Sequence, residues 1–154
     1  MSPFEYVTVL ISIVLGLGIT QIVTGIADII HQWSRVKIFW PHQLFILLAF
    51  FLHIQEWWIL YALKTKEEWR LPIFLFTILY PILLFVLARI LFPSDWTERV
   101  DLKDFYFRNY RKFFLIISLL ALVSILDNIF IQGKAVLEQS FQFILMVSVT
   151  FIAA

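Results

Sequence analysis

Apolar residues along this chain come in long unbroken runs, not in the alternation of a strand or the single stripe of a surface helix. Five such runs, about 7–30, 42–63, 71–92, 113–131 and 135–154, each reach the length a helix needs to cross a bilayer. Lipid offers backbone groups no hydrogen bonds, so runs of this kind must satisfy their own N–H and C=O groups as helices. A barrel would instead show short segments of alternating polarity. The pattern predicts an all-α, polytopic transmembrane helix bundle of about five spans, with residues 1–154 forming a single membrane domain.

Composition agrees with the pattern. The chain is 62% hydrophobic and only 15% charged, and its mean hydropathy of +0.91 lies far from that of soluble domains. The start, "MSPFEYVTVLISIVLGLG", has no basic segment ahead of its apolar core, which predicts an uncleaved first helix, not a signal peptide. The absence of cysteine excludes disulfides, thiolate metal sites and iron–sulfur clusters. A net charge of +1 gives no footprint for nucleic acid.

Basic residues are unevenly shared between the two ends of the spans. Arg35, Lys37, Arg89, Arg99, Lys103, Arg108, Arg111 and Lys112 fall on one side, against Lys64, Lys66, Arg70 and Lys134 on the other. By the positive-inside rule the first group is cytoplasmic and the N-terminus outside. The longest polar segment, 93–112, "PSDWTERVDLKDFYFRNYRK", then forms a cytoplasmic interfacial connector. Its mixture of aromatic and basic residues suits the headgroup region, or a docking surface for a partner. Asp95 ahead of Glu98, and Asp101 ahead of Asp104, are positioned to cap short helices there.

Every fourth residue of the first span is small or polar: Thr8, Ser12, Gly16, Thr20 and Thr24, continuing to Asp28. Small residues let helices approach closely in lipid, so this series predicts a helix-packing face and a central first helix. A polar stripe along a pore is the functional alternative. Asp28 and Arg89 are expected at the same membrane face, where they would form a structural ion pair.

The second span carries "HIQE" near its middle. His53 and Glu56 are three residues apart, about 5 Å along the axis, and share a side of the helix. Matching depths along antiparallel and parallel spans bring Ser12, Thr77, Tyr80, Asp127, Asn128 and Gln142 to the level of Glu56. The expectation is an intramembrane polar cluster of His53, Gln55, Glu56, Asp127, Asn128, Tyr80 and Gln142. It could be interhelical glue, or it could relay protons or hold a cation. No phosphate loop, nucleophile elbow or H-E-x-x-H pattern occurs, so no catalytic residue, cofactor or metal site is expected. Pro81 beside Tyr80 predicts a kink in the third span.

The stretches "SPFEYVTVLISIVLGLGITQIVTG", "FWPHQLFILLAFFLHIQEWW" and "DFYFRNYRKFFLIISLLALVSILDN" resemble a broad group of small polytopic bacterial membrane proteins with no assigned activity. The resemblance implies a multi-pass protein of the bacterial inner membrane, with some further residues after position 154 in relatives. Two functions are open at this point. One is a non-enzymatic membrane subunit that assembles with itself or a larger complex through the small-residue face. The other is an oligomeric channel or proton-coupled transporter that uses the polar cluster.

Overall fold

The computed structural model describes residues 3–65, 69–96, 98–131, 133, 144, 147 and 148. Helix α1 runs Pro3–His31 and α2 Trp40–Ala62, the latter followed by a short 3₁₀ turn at Leu63–Thr65. The third span is divided into α3, Leu71–Thr77, and α4, Leu79–Ile90; α5 covers Leu102–Phe130. Four spans among the described residues are long and apolar enough to cross a membrane: Phe4–His31, Trp40–Tyr61, Leu71–Ile90 and Leu102–Phe130. The expected fifth, 135–154, lies outside the described residues except for Ile144, Val147 and Ser148, which are helical.

Local sequence explains where the helices start. Pro41 and Pro72 occupy the first turns of α2 and α3, where a missing N–H costs nothing. α5 begins earlier than its apolar run because Asp101 caps it, accepting from the N–H groups of Lys103 at 2.9 Å and Asp104 at 3.4 Å. Its 29 residues give a helix about 44 Å long, more than the hydrocarbon thickness, so its charged first turns stand beyond the apolar layer. The connector expected over 93–112 is thus confined to the residues before 102, and Asp95 starts no helix.

Helix α4 is the hub, packing on α1, α5 and α2. It buries Leu84, Leu87 and Ala88 completely, and Leu91 just past its end is buried as well. α1 answers with Val7, Ile11, Leu15, Gly18, Ile22, Gly25 and Ile29, whose steps of four and three hold one face toward the bundle. Phe92 sits over Gly25, where a side chain would strike its ring. Val9, Ile13, Leu17, Val23 and Ile30 of α1 point outward, as do Leu44, Leu47, Phe51 and Trp58 of α2. In a soluble protein this apolar coat would be untenable; around a bilayer span it is the lipid-facing surface.

The helix-packing face expected at Thr8, Ser12, Gly16, Thr20 and Thr24 is not the one the bundle uses. Thr8 and Ser12 are half-buried, Gly16, Thr20 and Thr24 are exposed, and nothing lies within 4 Å of where a Gly16 side chain would begin. The reason is geometric: a strict fourth-residue series turns about 40° around a 3.6-residue helix at each step. The series therefore starts at one flank of the buried face, crosses the back of the helix and returns at Asp28, which is half-buried again. The central position belongs to α4, not α1.

One feature is absent from any hydrophobic pattern. Two connectors at the same end of the bundle meet as a two-residue parallel pair, β1 (Val36–Lys37) against β2 (Val100–Asp101). Val100 donates its N–H to the Arg35 carbonyl at 3.1 Å. The register places Lys37 opposite Asp101, and their side chains form an ion pair at 2.9 Å. Each partner shifts the other: the Asp101 carboxylate holds the Lys37 ammonium above its usual range, and Lys37 holds Asp101 below the usual carboxylate range.

Candidate functional site: an oxygen-lined cavity at the broken span

Pro81 has no N–H, so the carbonyl one turn earlier, that of Thr77, lacks the hydrogen bond a regular helix would give it. The helix is interrupted at that point. α3 ends at Thr77, Ile78 takes φ −72° and ψ −16°, and α4 starts at Leu79. The Thr77 hydroxyl is engaged, donating to the Ile73 carbonyl at 3.0 Å.

A cavity of about 450 Å³ opens beside this break. α2 lines it with Gln55 and Glu56, the broken span with Thr77 and Tyr80, and α5 with Ser124, Asp127 and Asn128. Ile59, Phe76 and Val123 add apolar wall. Three elements thus bring polar side chains to one hollow, each from inside an otherwise apolar helix. Thr77 and Asn128 are buried.

Glu56 lies within electrostatic reach of Asp127, and Tyr80 within reach of Glu56. Two carboxyl groups that border one hollow repel each other as anions. A proton or a cation between them removes that penalty. The site is therefore chemically suited to taking up positive charge, with Tyr80, Ser124 and the amides of Gln55 and Asn128 to complete the coordination.

Of the residues expected to cluster, Gln55, Glu56, Tyr80, Asp127 and Asn128 border this cavity. Gln142 lies outside the described residues. His53 does not join them. It is fully buried against Gly18 of α1, its Nδ1–H donating to the Ala49 carbonyl at 2.7 Å. Three residues on a helix correspond to a rotation of about 60° between side chains, enough to point His53 at α1 and Glu56 at α4 and α5. Without the imidazole, the candidate ligands of the lining are oxygens and amides, beside the Trp58 indole.

The ion pair expected between Asp28 and Arg89 is not formed. Arg89 is exposed, carried off the face that α4 packs with Ala88 and Leu91, whereas Asp28 flanks the buried side of α1. Among the described residues, the ion pair at this end is Lys37 with Asp101.

Depth along the spans already brought Thr77 to this level, whereas Ser124 is a polar lining residue that the depth argument passed over although it leaves a trace in the sequence. Ser124 precedes Asp127 by three positions, on the same helical side. Thr77 precedes Pro81 by four, the spacing that strips its carbonyl of a donor. His42, fully buried, is held among the rings of Phe105, Tyr106 and Phe113, with centroids 5.6, 6.0 and 5.9 Å away.

No protein-family model, no curated protein and no solved structure matches the chain.

Proposed function

We propose that this chain is a membrane protein that takes up and releases protons at the Glu56–Asp127 cavity, working as a channel or proton-coupled transporter in an assembled form. The observation that carries the reading is the convergence of two carboxyl groups and a helix break on one membrane-embedded hollow. Intramembrane carboxylates are costly to insert and mark proton and ion paths. Interrupted helices lining cavities serve ion sites in transporters. The distribution of Lys and Arg supports a cytoplasmic location for the β1–β2 end, and the sequence resemblance supports the bacterial inner membrane.

The test is proton flux into liposomes holding the purified protein, driven by an imposed pH difference. Glu56→Gln and Asp127→Asn should each depress the flux strongly. Flux that both substitutions leave unchanged would remove these residues from the mechanism.

A second reading, a non-enzymatic subunit of a homo-oligomer or larger membrane complex, is favoured by a separate observation. Gly16, Thr20 and Thr24 form an exposed small-residue patch on α1 that the bundle itself leaves uncovered. The mass and composition of the complex extracted in mild detergent separate the two. Stoichiometric foreign subunits support the scaffold reading, and a pure homo-oligomer supports the transporter.

A further inference from the structure

Resting on that reading of the cavity, we propose that the hollow also binds an alkali-metal cation, in exchange for a proton, with the Thr77 carbonyl among its ligands. Three observations meet here. Apart from the Trp58 indole N–H, the polar side chains of the lining are carboxyl, hydroxyl and amide groups, since His53 is turned away to Gly18. Oxygen ligands of this type select hard cations over zinc, copper or nickel. Pro81 leaves the Thr77 carbonyl without its helix donor in a residue that is only 5% exposed. A carbonyl in that position accepts a cation at no cost to the helix, because its hydrogen bond is already lost.

The charge count favours a monovalent ion. Calcium sites draw their affinity from the number of carboxylates they hold, and this lining supplies two, Glu56 and Asp127. With one carboxyl protonated and the other ionised, a single positive charge makes the occupied site neutral, which suits the low-dielectric surroundings. Exchange is balanced and electroneutral. In the empty site both carboxyl groups are protonated; one of them loses its proton to water as the metal cation arrives, leaving one acid beside one carboxylate–cation pair, and the reverse step restores the second acid. Glu56 and Asp127 carry the exchangeable charge; Thr77, Tyr80 and Ser124 supply neutral oxygens.

The experiment is thermal unfolding of the full chain in nanodiscs, in sodium, potassium and choline chloride at equal ionic strength and over a series of pH values. At least one alkali cation should raise Tm above choline, and the gain should shrink as protons compete at lower pH. Glu56→Gln and Asp127→Asn should abolish the gain. Pro81→Ala, which returns an N–H to the Thr77 carbonyl, should weaken the cation's apparent affinity several-fold. Equal Tm in all three salts, or a cation gain undiminished in both carboxyl variants, overturns the proposal. Loss of alkali binding alone, with Glu56-dependent proton flux intact, would reject the metal cation and leave the proton-path reading standing. Loss of both would reject the two together.

Discussion

His53 of α2 is seated directly on Gly18 of α1. The imidazole is fully buried, its Nδ1–H is spent on the Ala49 carbonyl, and its Nε2 is the atom nearest to where a Gly18 side chain would begin. The absence of a Cβ at position 18 is what lets the two helices close over a polar ring. The relationship makes His53 a packing residue, with its position set by α1.

Gly18→Ala should therefore destabilise the bundle by about 1–3 kcal/mol, the range for overpacking a closed interior. His53→Ala relieves the clash, so the double substitution should be less damaging than the sum of the two singles. Thermal unfolding in nanodiscs measures all three. Strict additivity would mean that the two residues do not bear on each other.

Gly16 offers the opposite case. Its surroundings are open, and alanine is a better helix former than glycine, so Gly16→Ala should stay within about 1 kcal/mol of the parent on the stabilising side. Gly16→Leu should also leave the isolated chain folded. If Gly16→Leu nonetheless shifts the mass of the detergent-extracted complex, the exposed face of α1 is an assembly surface. An unchanged mass assigns that face to lipid.

The contrast between these glycines shows how far the sequence could be read. Long apolar runs located the helices, because spanning length and backbone satisfaction leave few alternatives. Depth along those helices placed Glu56, Tyr80 and Asp127 at one level, since rise per residue is fixed. Rotation around the axis was not legible in the same way. A series of fourth residues looks like one face in a linear text and is a spiral on the helix, so Thr8 and Thr24 end on different sides. His53 failed for the related reason that three residues share a side only to within about 60°. The β1–β2 pair was hidden because two backbone segments distant in sequence carry no mark that they will meet.

Glue and function make different demands on Glu56. If the cavity is held together by its polar contacts, Glu56→Gln should cost stability and proton flux alike. If the carboxyl group is kept for chemistry, its amide should preserve or raise Tm while flux falls, the usual trade at a site that carries unfavourable charge. We expect the second outcome. A large fall in Tm would return the cluster to a structural role.

The clasp between Lys37 and Asp101 can be dissected by substitution and by pH. Asp101 has two jobs, pairing with Lys37 and capping α5 through the Lys103 and Asp104 N–H groups. Asp101→Asn keeps a capping oxygen and loses the charge, whereas Asp101→Ala loses both, so stability should fall in the order parent, Asn, Ala. Because the folded state holds this carboxyl below its ordinary range, its contribution is complete above the unfolded value and is lost as pH falls through the folded one. Lys37 has the opposite sign: held above its ordinary range, it contributes fully below the unfolded value and loses that as pH rises through the folded one. The clasp should thus be constant across neutral pH and weaken at both extremes. Lys37 is exposed and Asp101 only half-buried, so high salt should mute the effect of charge while sparing the cap. Hydrogen exchange at the first turn of α5 reads the cap directly. Faster exchange there in Asp101→Ala than in Asp101→Asn, at high salt, is the result that separates capping from pairing.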